Sequence, residues 1–310
     1  MHAAVVDPSR VVLKLVAKLF MDRGDKVSTF VNSEQALQSI KADRSINVLL
    51  TSLETGPVPG LELCWQARLA AGNRRPLFII VMSSQGDQEV VTQALDCGAD
   101  DLIVKPVTQH QLGARLRMAE RLQSTQMHLI RLAETDPLTG LLNRRAFFER
   151  LDGCLQEHPA NAPPLTAIMF DIDFFKKVND AHGHLSGDEV IAAVAAQAAQ
   201  CGVLAGRLGG EEFALVLSGA DDHAAVMIAE DLRTRCAGLL FPGKTGPFGI
   251  TCSLGIASAA PGDGTDDLLR KADRALYEAK AAGRNCTRMA GGPVSDWWGR
   301  DDSSLKLMHS

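Results

Sequence analysis

The sequence predicts an α/β protein of two domains: a doubly wound parallel sheet, a long connecting helix, and an α+β domain built around a carboxylate-bearing strand and a glycine turn. Three observations predict it. The chain has 310 residues, about twice the ~150 of a usual domain. Up to residue 107, short and almost wholly apolar runs alternate with helical stretches, the pattern of parallel strands covered by helices on both faces. Beyond residue 135, apolar runs lead directly into acidic residues and a Gly-Gly pair.

In order along the first domain (1–107), residues 3–6, 48–50, 77–82 and 101–104 read as strands and 11–20 as a helix. In such a sheet the chemistry collects at the carboxyl ends of the strands, where this chain places Asp7, Thr51-Ser52, Ser83-Ser84 and Lys105-Pro106. Asp7 after the first strand, Ser83 after the fourth, and Lys105-Pro106 after Gly98-Ala99-Asp100-Asp101 resemble a response-regulator receiver domain, of flavodoxin-like fold. The resemblance implies a site where two acids after strand one and an aspartate after strand three hold magnesium beside the carboxylate that accepts a phosphoryl group. Here the second acid is replaced by Pro8, and eight residues before Gly60, the loop-closing glycine, stands Ser52. A hydroxyl brings neither the charge for the metal nor the carboxylate nucleophile. Asp7, Ser52, Ser83 and Lys105 are therefore expected to form a degenerate receiver site that takes no phosphate from a histidine kinase. Glu54 is the alternative acid, although period-two alternation does not hold reliably in a loop. The domain is left with a role in dimerisation or in binding an unidentified protein partner.

Residues 108–134 begin at a Thr108 cap, contain no proline and read as one helix of roughly 40 Å. Leu112 and Leu116 are expected to face the first domain's own sheet, while Met118, Leu122, Thr125, Leu129 and Leu132 follow a four-three-four-three spacing. That second stripe suits a parallel coiled-coil pair; packing against its own domain is the alternative.

The second domain (135–290) opens with Asp136-Pro137-Leu138-Thr139-Gly140, a helix breaker and tight turn before a charged helix start. An apolar strand, 165–170, runs into Asp171-Ile172-Asp173, and Gly209-Gly210-Glu211-Glu212 reads as a hairpin turn with an apolar strand, 214–217, after it. Paired glycines permit positive φ and let a phosphate approach closely. If the two strands are neighbours, Asp171, Glu211 and Glu212 converge, and such carboxylates repel one another unless a divalent cation joins them. Lys280 and Arg284, four residues apart, are expected on one face of a helix end, where they would hold phosphates. Carboxylates for a metal, cations for phosphate and a glycine turn at the junction specify nucleotidyl or phosphoryl transfer.

These motifs resemble the GGDEF family of diguanylate cyclases over about residues 133–290, the naming motif standing here as Gly209-Gly210-Glu211-Glu212-Phe213. The resemblance implies an antiparallel palm of the nucleotide-cyclase, ferredoxin-type kind, acting on GTP as a homodimer to make cyclic di-GMP and two pyrophosphates. It implies that Asp171, the Ile172 carbonyl and Glu211, with Glu212 nearby, hold magnesium or manganese. Glu211 also takes the proton of the ribose 3′ hydroxyl. Lys176, with Lys280 and Arg284, stabilises phosphate charge; Asn179 and Asp188 read guanine; His184 lies against the nucleotide. Taken singly, these residues have plainer readings: Asp173 paired with a basic neighbour, Asn179 capping a turn, His184 structural, Lys176 and Lys177 on a solvated helix face.

Two departures from the family pattern stand out. Where many members carry an arginine and an aspartate that bind inhibitory product, this chain has Gln200 and Val203, so feedback at that site is expected to be absent; Leu208 replaces a common aromatic. The competing reading is a catalytically silent adaptor that binds GTP or cyclic di-GMP, disfavoured because the glycine turn and its acids are intact. A phosphorylation-driven regulator fails at Ser52 and Pro8.

Composition sets the outer bounds. Apolar residues make up 46% and charged residues 22%, with 27 Gly and 13 Pro, which excludes fibre, disulfide-scaffold and disordered classes. The net charge of −5 gives no whole-chain reason to bind nucleic acid or a membrane. Seven scattered cysteines without a C-x-x-C, and no secretory or membrane-spanning run, lead to the expectation of packing cysteines in a cytoplasmic protein. The tail, 291–310, polar apart from Trp297-Trp298 and a short apolar run, is expected to be loosely ordered.

Overall fold

The computed structural model describes residues 1–291 except 73, 85–87, 159–161, 163, 203 and 245. Val203 and the tryptophan-bearing tail lie outside the described residues. The chain divides into two compact units, Met1–Arg131 and the residues from Leu132 onward.

The first unit runs β1 (His2–Val6), α1 (Arg10–Met21), β2 (Lys26–Phe30), α2 (Ser33–Ala42), β3 (Val48–Ser52), α3 (Gly60–Ala71), β4 (Phe78–Ser83), α4 (Gln88–Asp96), β5 (Asp101–Val104) and α5 (Gln109–Glu134). All strands are parallel, in the order β2-β1-β3-β4-β5. Because successive strand side chains point to opposite faces, Ala4, Val6, Leu49 and Ile79 pack with α2 and α3, while Ala3, Val5, Leu50 and Ile80 pack with α1 and α5. β2 is the strand that apolar runs do not reveal: it is an edge strand with no fully buried position, and Lys26, Ser28 and Thr29 interrupt any apolar run. In α5, Leu112 and Leu116 are buried in the core, where each contributes roughly 1.5–3 kcal/mol. Met118, Leu122, Leu129 and Leu132 are exposed.

The second unit continues with β6 (Leu142–Asn143), α6 (Arg144–Glu157), β7 (Thr166–Ile172), α7 (Phe175–His182), α8 (His184–Ala198), β8 (Leu204–Gly209), β9 (Glu212–Leu217), α9 (Asp222–Ala237), β10 (Leu240–Phe241), β11 (Phe248–Gly249), β12 (Cys252–Ser258), α10 (Thr265–Ala281) and β13 (Thr287–Met289). Its main sheet has the order β13-β12-β7-β9-β8-β6, with the four central strands antiparallel and β6 and β13 added parallel at the edges. Phe170 and Phe213, register partners on β7 and β9, stack at 5.1 Å under α8 and α9. On the other face Ala167, Met169, Ala214 and Val216 pack with Phe147 and Leu151 of α6 and Leu268 and Leu276 of α10. This two-faced core fixes β7 in the centre of the sheet and therefore fixes where its last residues emerge. All seven cysteines are free thiols. Among the described residues no helix is long and apolar enough to cross a membrane.

Candidate active site

Asp171 is the penultimate residue of β7, with Glu212 of β9 and Ser253 of β12 as its register partners. β8 and β9 are joined by a hairpin in which Gly209 and Gly210 take φ of 153° and 53°, the second a left-handed conformation that strains any residue with a Cβ. Arg207 clamps this turn: Nε donates to the Gly210 carbonyl at 2.8 Å and Nη1 to both Asp136 carboxylate oxygens at 3.1 Å. Asp136 also accepts from the Thr139 amide and hydroxyl at 2.9 and 2.8 Å. Burial pushes the Asp136 carboxyl up, but the Thr139 donors and Arg207 outweigh it and hold the group below the usual carboxylate range. Arg207 had no role in the sequence reading; its position two residues before the glycine pair is the signal that could have found it.

Asp171 is buried, and burial pushes its carboxyl up to about 6, against the pull of the Lys280 ammonium 2.9 Å from Oδ2; Glu211 and Glu212 push it further up. Several carboxylates thus share one lysine. Oxygen donors, surplus negative charge and an ammonium standing where a cation would stand fit a hard divalent ion. The expected convergence is nevertheless loose. Among the described residues no three His, Cys, Asp or Glu side chains are gathered to hold a metal, because Glu211 sits on the turn and Glu212 is exposed at the start of β9.

Lys280 lies in the last turn of α10, which ends at Ala281. Arg284 does not continue that face, contrary to the sequence expectation: Gly283, Arg284 and Asn285 have φ of 113°, 64° and 45°. Gly283 stops the helix in the usual way of a positive-φ glycine, and beyond it the Asn285 amide donates to Asp173 Oδ2 at 3.0 Å. Asp173 is buried and also accepts from the Thr251 and Ser253 hydroxyls, each at 2.7 Å. The basic neighbour expected for Asp173 is therefore corrected to two hydroxyls and an amide, partners distant in sequence that replace the water a buried carboxylate loses. Next to it, Phe174 is half exposed at φ 55°, with its ring 4.5 Å from Arg284 Cζ and 4.4 Å from Lys177 Nζ.

Asn179, on α7, caps nothing with its Oδ1, which is buried without a hydrogen-bond partner; leaving such an acceptor unpaired costs about 1–3 kcal/mol. A Cβ at Gly187 would lie 2.0 Å from that oxygen, so the glycine in α8 is what lets Asn179 occupy this position. His184 and Asp188, one turn apart on α8, and Lys176 on α7 are exposed. The structure thus joins Asp171 to Glu212 and Lys280, and Asn179 to Gly187; it leaves Lys176, His184 and Asp188 as open side chains. The Gln200 side chain donates to the Ala196 carbonyl at 3.1 Å and accepts from Arg235 Nη1 at 3.4 Å.

At the carboxyl ends of the first unit's strands, Lys105 Nζ donates to Asp7 Oδ2 at 2.7 Å and to Ser52 Oγ at 2.9 Å. Asp7 Oδ1 accepts from the Ser9 amide at 2.8 Å. Asp7, Ser52 and Ser83 are buried. A Cβ at Gly60 would lie 2.1 Å from the Ser52 carbonyl, which makes that glycine compulsory and fixes Ser52 as the residue under the loop. Glu54 is exposed and accepts from the Ser84 hydroxyl at 3.1 Å, outside the Asp7–Lys105–Ser52 cluster.

Comparison with known proteins places these two sites in context. Residues 133–286 match the family described as diguanylate cyclase, GGDEF domain, and residues 3–117 the response regulator receiver domain. The chain is similar to the response regulator PleD of Caulobacter vibrioides, 33% identical over 269 residues that cover 82% of this chain and 59% of PleD. It is also similar to the diguanylate cyclase DgcM of Escherichia coli, 33% identical over 220 residues, 69% of this chain and 51% of DgcM. The chain thus spans little more than half the length of these relatives. Among solved structures, the coiled coil and GGDEF domain of DgcB from Caulobacter crescentus, in complex with c-di-GMP, aligns over 59% of this chain and 98% of that one, at 31% identity and a TM-score of 0.53.

Proposed function

The chain belongs to the GGDEF diguanylate cyclase family and carries a response-regulator receiver domain, and from that membership we propose that it condenses two GTP molecules into cyclic di-GMP with release of two pyrophosphates. The observation that carries the reading is the buried Asp171 carboxylate beside the glycine hairpin, pushed up by burial and two nearby glutamates and held, among the described residues, by Lys280. Asp171, the Ile172 carbonyl and Glu211, with Glu212 beside them, are the residues that would hold magnesium or manganese. When bound, the ion neutralises phosphate charge and lowers the pKa of the attacking hydroxyl.

The chain's own residues do the rest. Glu211 accepts the proton of the ribose 3′ hydroxyl as that oxygen attacks the α-phosphate of the GTP on the other protomer. Lys280, released from Asp171, joins Lys176 and Arg284 in balancing the charge that builds on the phosphates. Gly209 and Gly210, without side chains, leave room for the phosphates. The orphaned Asn179 Oδ1 accepts from the guanine amino group, and the Asp188 carboxylate accepts from the same N–H edge, a donor pattern adenine lacks; His184 lies against the nucleotide.

Each domain holds one GTP, so bond formation needs two copies, and the exposed Met118, Leu122, Leu129 and Leu132 stripe of α5 is the surface we assign to the homodimer. In the receiver, Lys105 is already satisfied by Asp7 and Ser52, and a serine cannot supply the carboxylate nucleophile. The receiver therefore serves dimerisation or sensing of a protein partner without being phosphorylated. With Gln200 at the product site, synthesis runs without feedback there.

The test is incubation of the purified chain with GTP and magnesium, with nucleotides resolved by chromatography beside Glu211→Gln. Cyclic di-GMP that disappears in the variant supports the cyclase. A chain that is dimeric and binds GTP, yet turns nothing over, would be the silent adaptor.

A further inference from the structure

Phe174 stands in a conformation that a bulky residue adopts only when something holds it there. At φ 55° it is left-handed, a strain of order 1–3 kcal/mol, and with 51% of its surface exposed it recovers little through burial. What the conformation achieves is to present the ring to two cations, the Arg284 guanidinium at 4.5 Å and the Lys177 ammonium at 4.4 Å, both inside the ~6 Å reach of a cation–π contact.

The opposing turn is strained in the same way, with Arg284 at φ 64° and Asn285 at 45°. One hydrogen bond locks the two turns together: the Asn285 amide, next in sequence to Arg284, donates to the carboxylate of Asp173, next in sequence to Phe174. Asp173 is itself anchored by the Thr251 and Ser253 hydroxyls of the neighbouring strand region. Among the described residues the Arg284 side chain makes no hydrogen bond or ion pair. A carboxylate partner would cancel its charge and occupy its N–H donors; an aromatic face orients the guanidinium and leaves both available.

We propose that Phe174 is a positioning residue that holds Arg284 ready for the terminal phosphate of a nucleoside triphosphate. The proposal rests on the GTP reading above. It makes Phe174 a determinant of triphosphate over diphosphate binding, acting only through Arg284.

The experiment is calorimetric titration of the full chain, with magnesium, by α,β-methylene-GTP, which cannot release pyrophosphate, and by GDP, which lacks the γ-phosphate. Phe174→Leu is expected to weaken the triphosphate analogue about three- to tenfold and GDP less than about twofold, with Phe174→Tyr restoring the parental affinity. In an Arg284→Ala background the Phe174→Leu substitution is expected to add nothing further. Phe174→Gly, which removes ring and strain together, is expected to lose the same affinity without lowering the thermal unfolding midpoint. Equal weakening of both nucleotides, additivity with Arg284→Ala, or loss of affinity only together with a lowered midpoint would overturn the proposal and make Phe174 merely structural. A parental chain that binds neither nucleotide would instead overturn the GTP reading on which it rests.

Discussion

Both units of the molecule put a buried aspartate at the carboxyl end of an interior strand and pair it with a lysine, at 2.7 Å for Asp7–Lys105 and 2.9 Å for Asp171–Lys280. The two pairs have opposite character. Around Asp7 the accounts are closed: its second oxygen takes the Ser9 amide, and Lys105 also reaches Ser52. Around Asp171 two further carboxylates stand near and none of them brings a cation, so burial and repulsion leave the group at about 6. On the function proposed above, the difference teaches that charge left unbalanced around an ion pair goes with the catalytic site, and a pair whose groups are all satisfied with the receiver site that takes no phosphate.

The same substitution should therefore have opposite effects on stability in the two places. Asp171→Asn is expected to reduce cyclic di-GMP formation about a hundredfold or more, read by nucleotide chromatography. It should also stabilise the nucleotide-free fold. A carboxyl that titrates near 6 in the folded chain and near 4 unfolded costs stability as pH rises through that window. The variant escapes this cost, by ~1–3 kcal/mol at pH 8 and progressively less as pH falls to 5, measurable by calorimetric unfolding. Asp7→Asn, by contrast, strands Lys105 and is expected to cost ~2–3 kcal/mol, seen as faster amide exchange in β1, β3 and β5. If Asp7→Asn proved stabilising, the comparison would collapse.

Smaller effects sharpen it. Asp136 has a depressed carboxyl pKa, so its contribution is present above the unfolded value near 4 and is lost as pH falls through the lower folded value. Asp136→Asn should cost about 1 kcal/mol at pH 7 and progressively less as pH falls through that folded value, again by calorimetry. Smallest of all is the response to acetyl phosphate: no phosphoryl adduct by mass spectrometry and no change in oligomeric state or rate. An adduct on the receiver would show that Glu54 or another acid replaces the missing acceptor.

Much of this was legible in the sequence. Wholly apolar runs gave β1, β3, β4 and β7, the Gly209-Gly210 pair gave the β8–β9 hairpin, and the proline-free stretch gave α5 with Leu112 and Leu116 inward. Ser52 was found by counting back from Gly60, and the clash that a Cβ would make there gives the count its physical basis. The half-polar β2 escaped because an edge strand shows no continuous apolar run. Arg284 was misplaced onto α10 because helical spacing by itself does not mark the stop at the positive-φ Gly283.

What the sequence determined alone was local: which segments bury one face or both, where glycine must stand, and which residue types with phosphate and metal chemistry occur in which order. The tertiary structure decided the partnerships. Asp173 is held by residues 78 to 112 positions away, Lys280 reaches Asp171 from another element, and Asn179 fits only against Gly187. Backbone preference and burial period are written in a few neighbouring residues, whereas the charge and hydrogen-bond balance of a buried group depends on side chains that only chain closure brings within 3 Å.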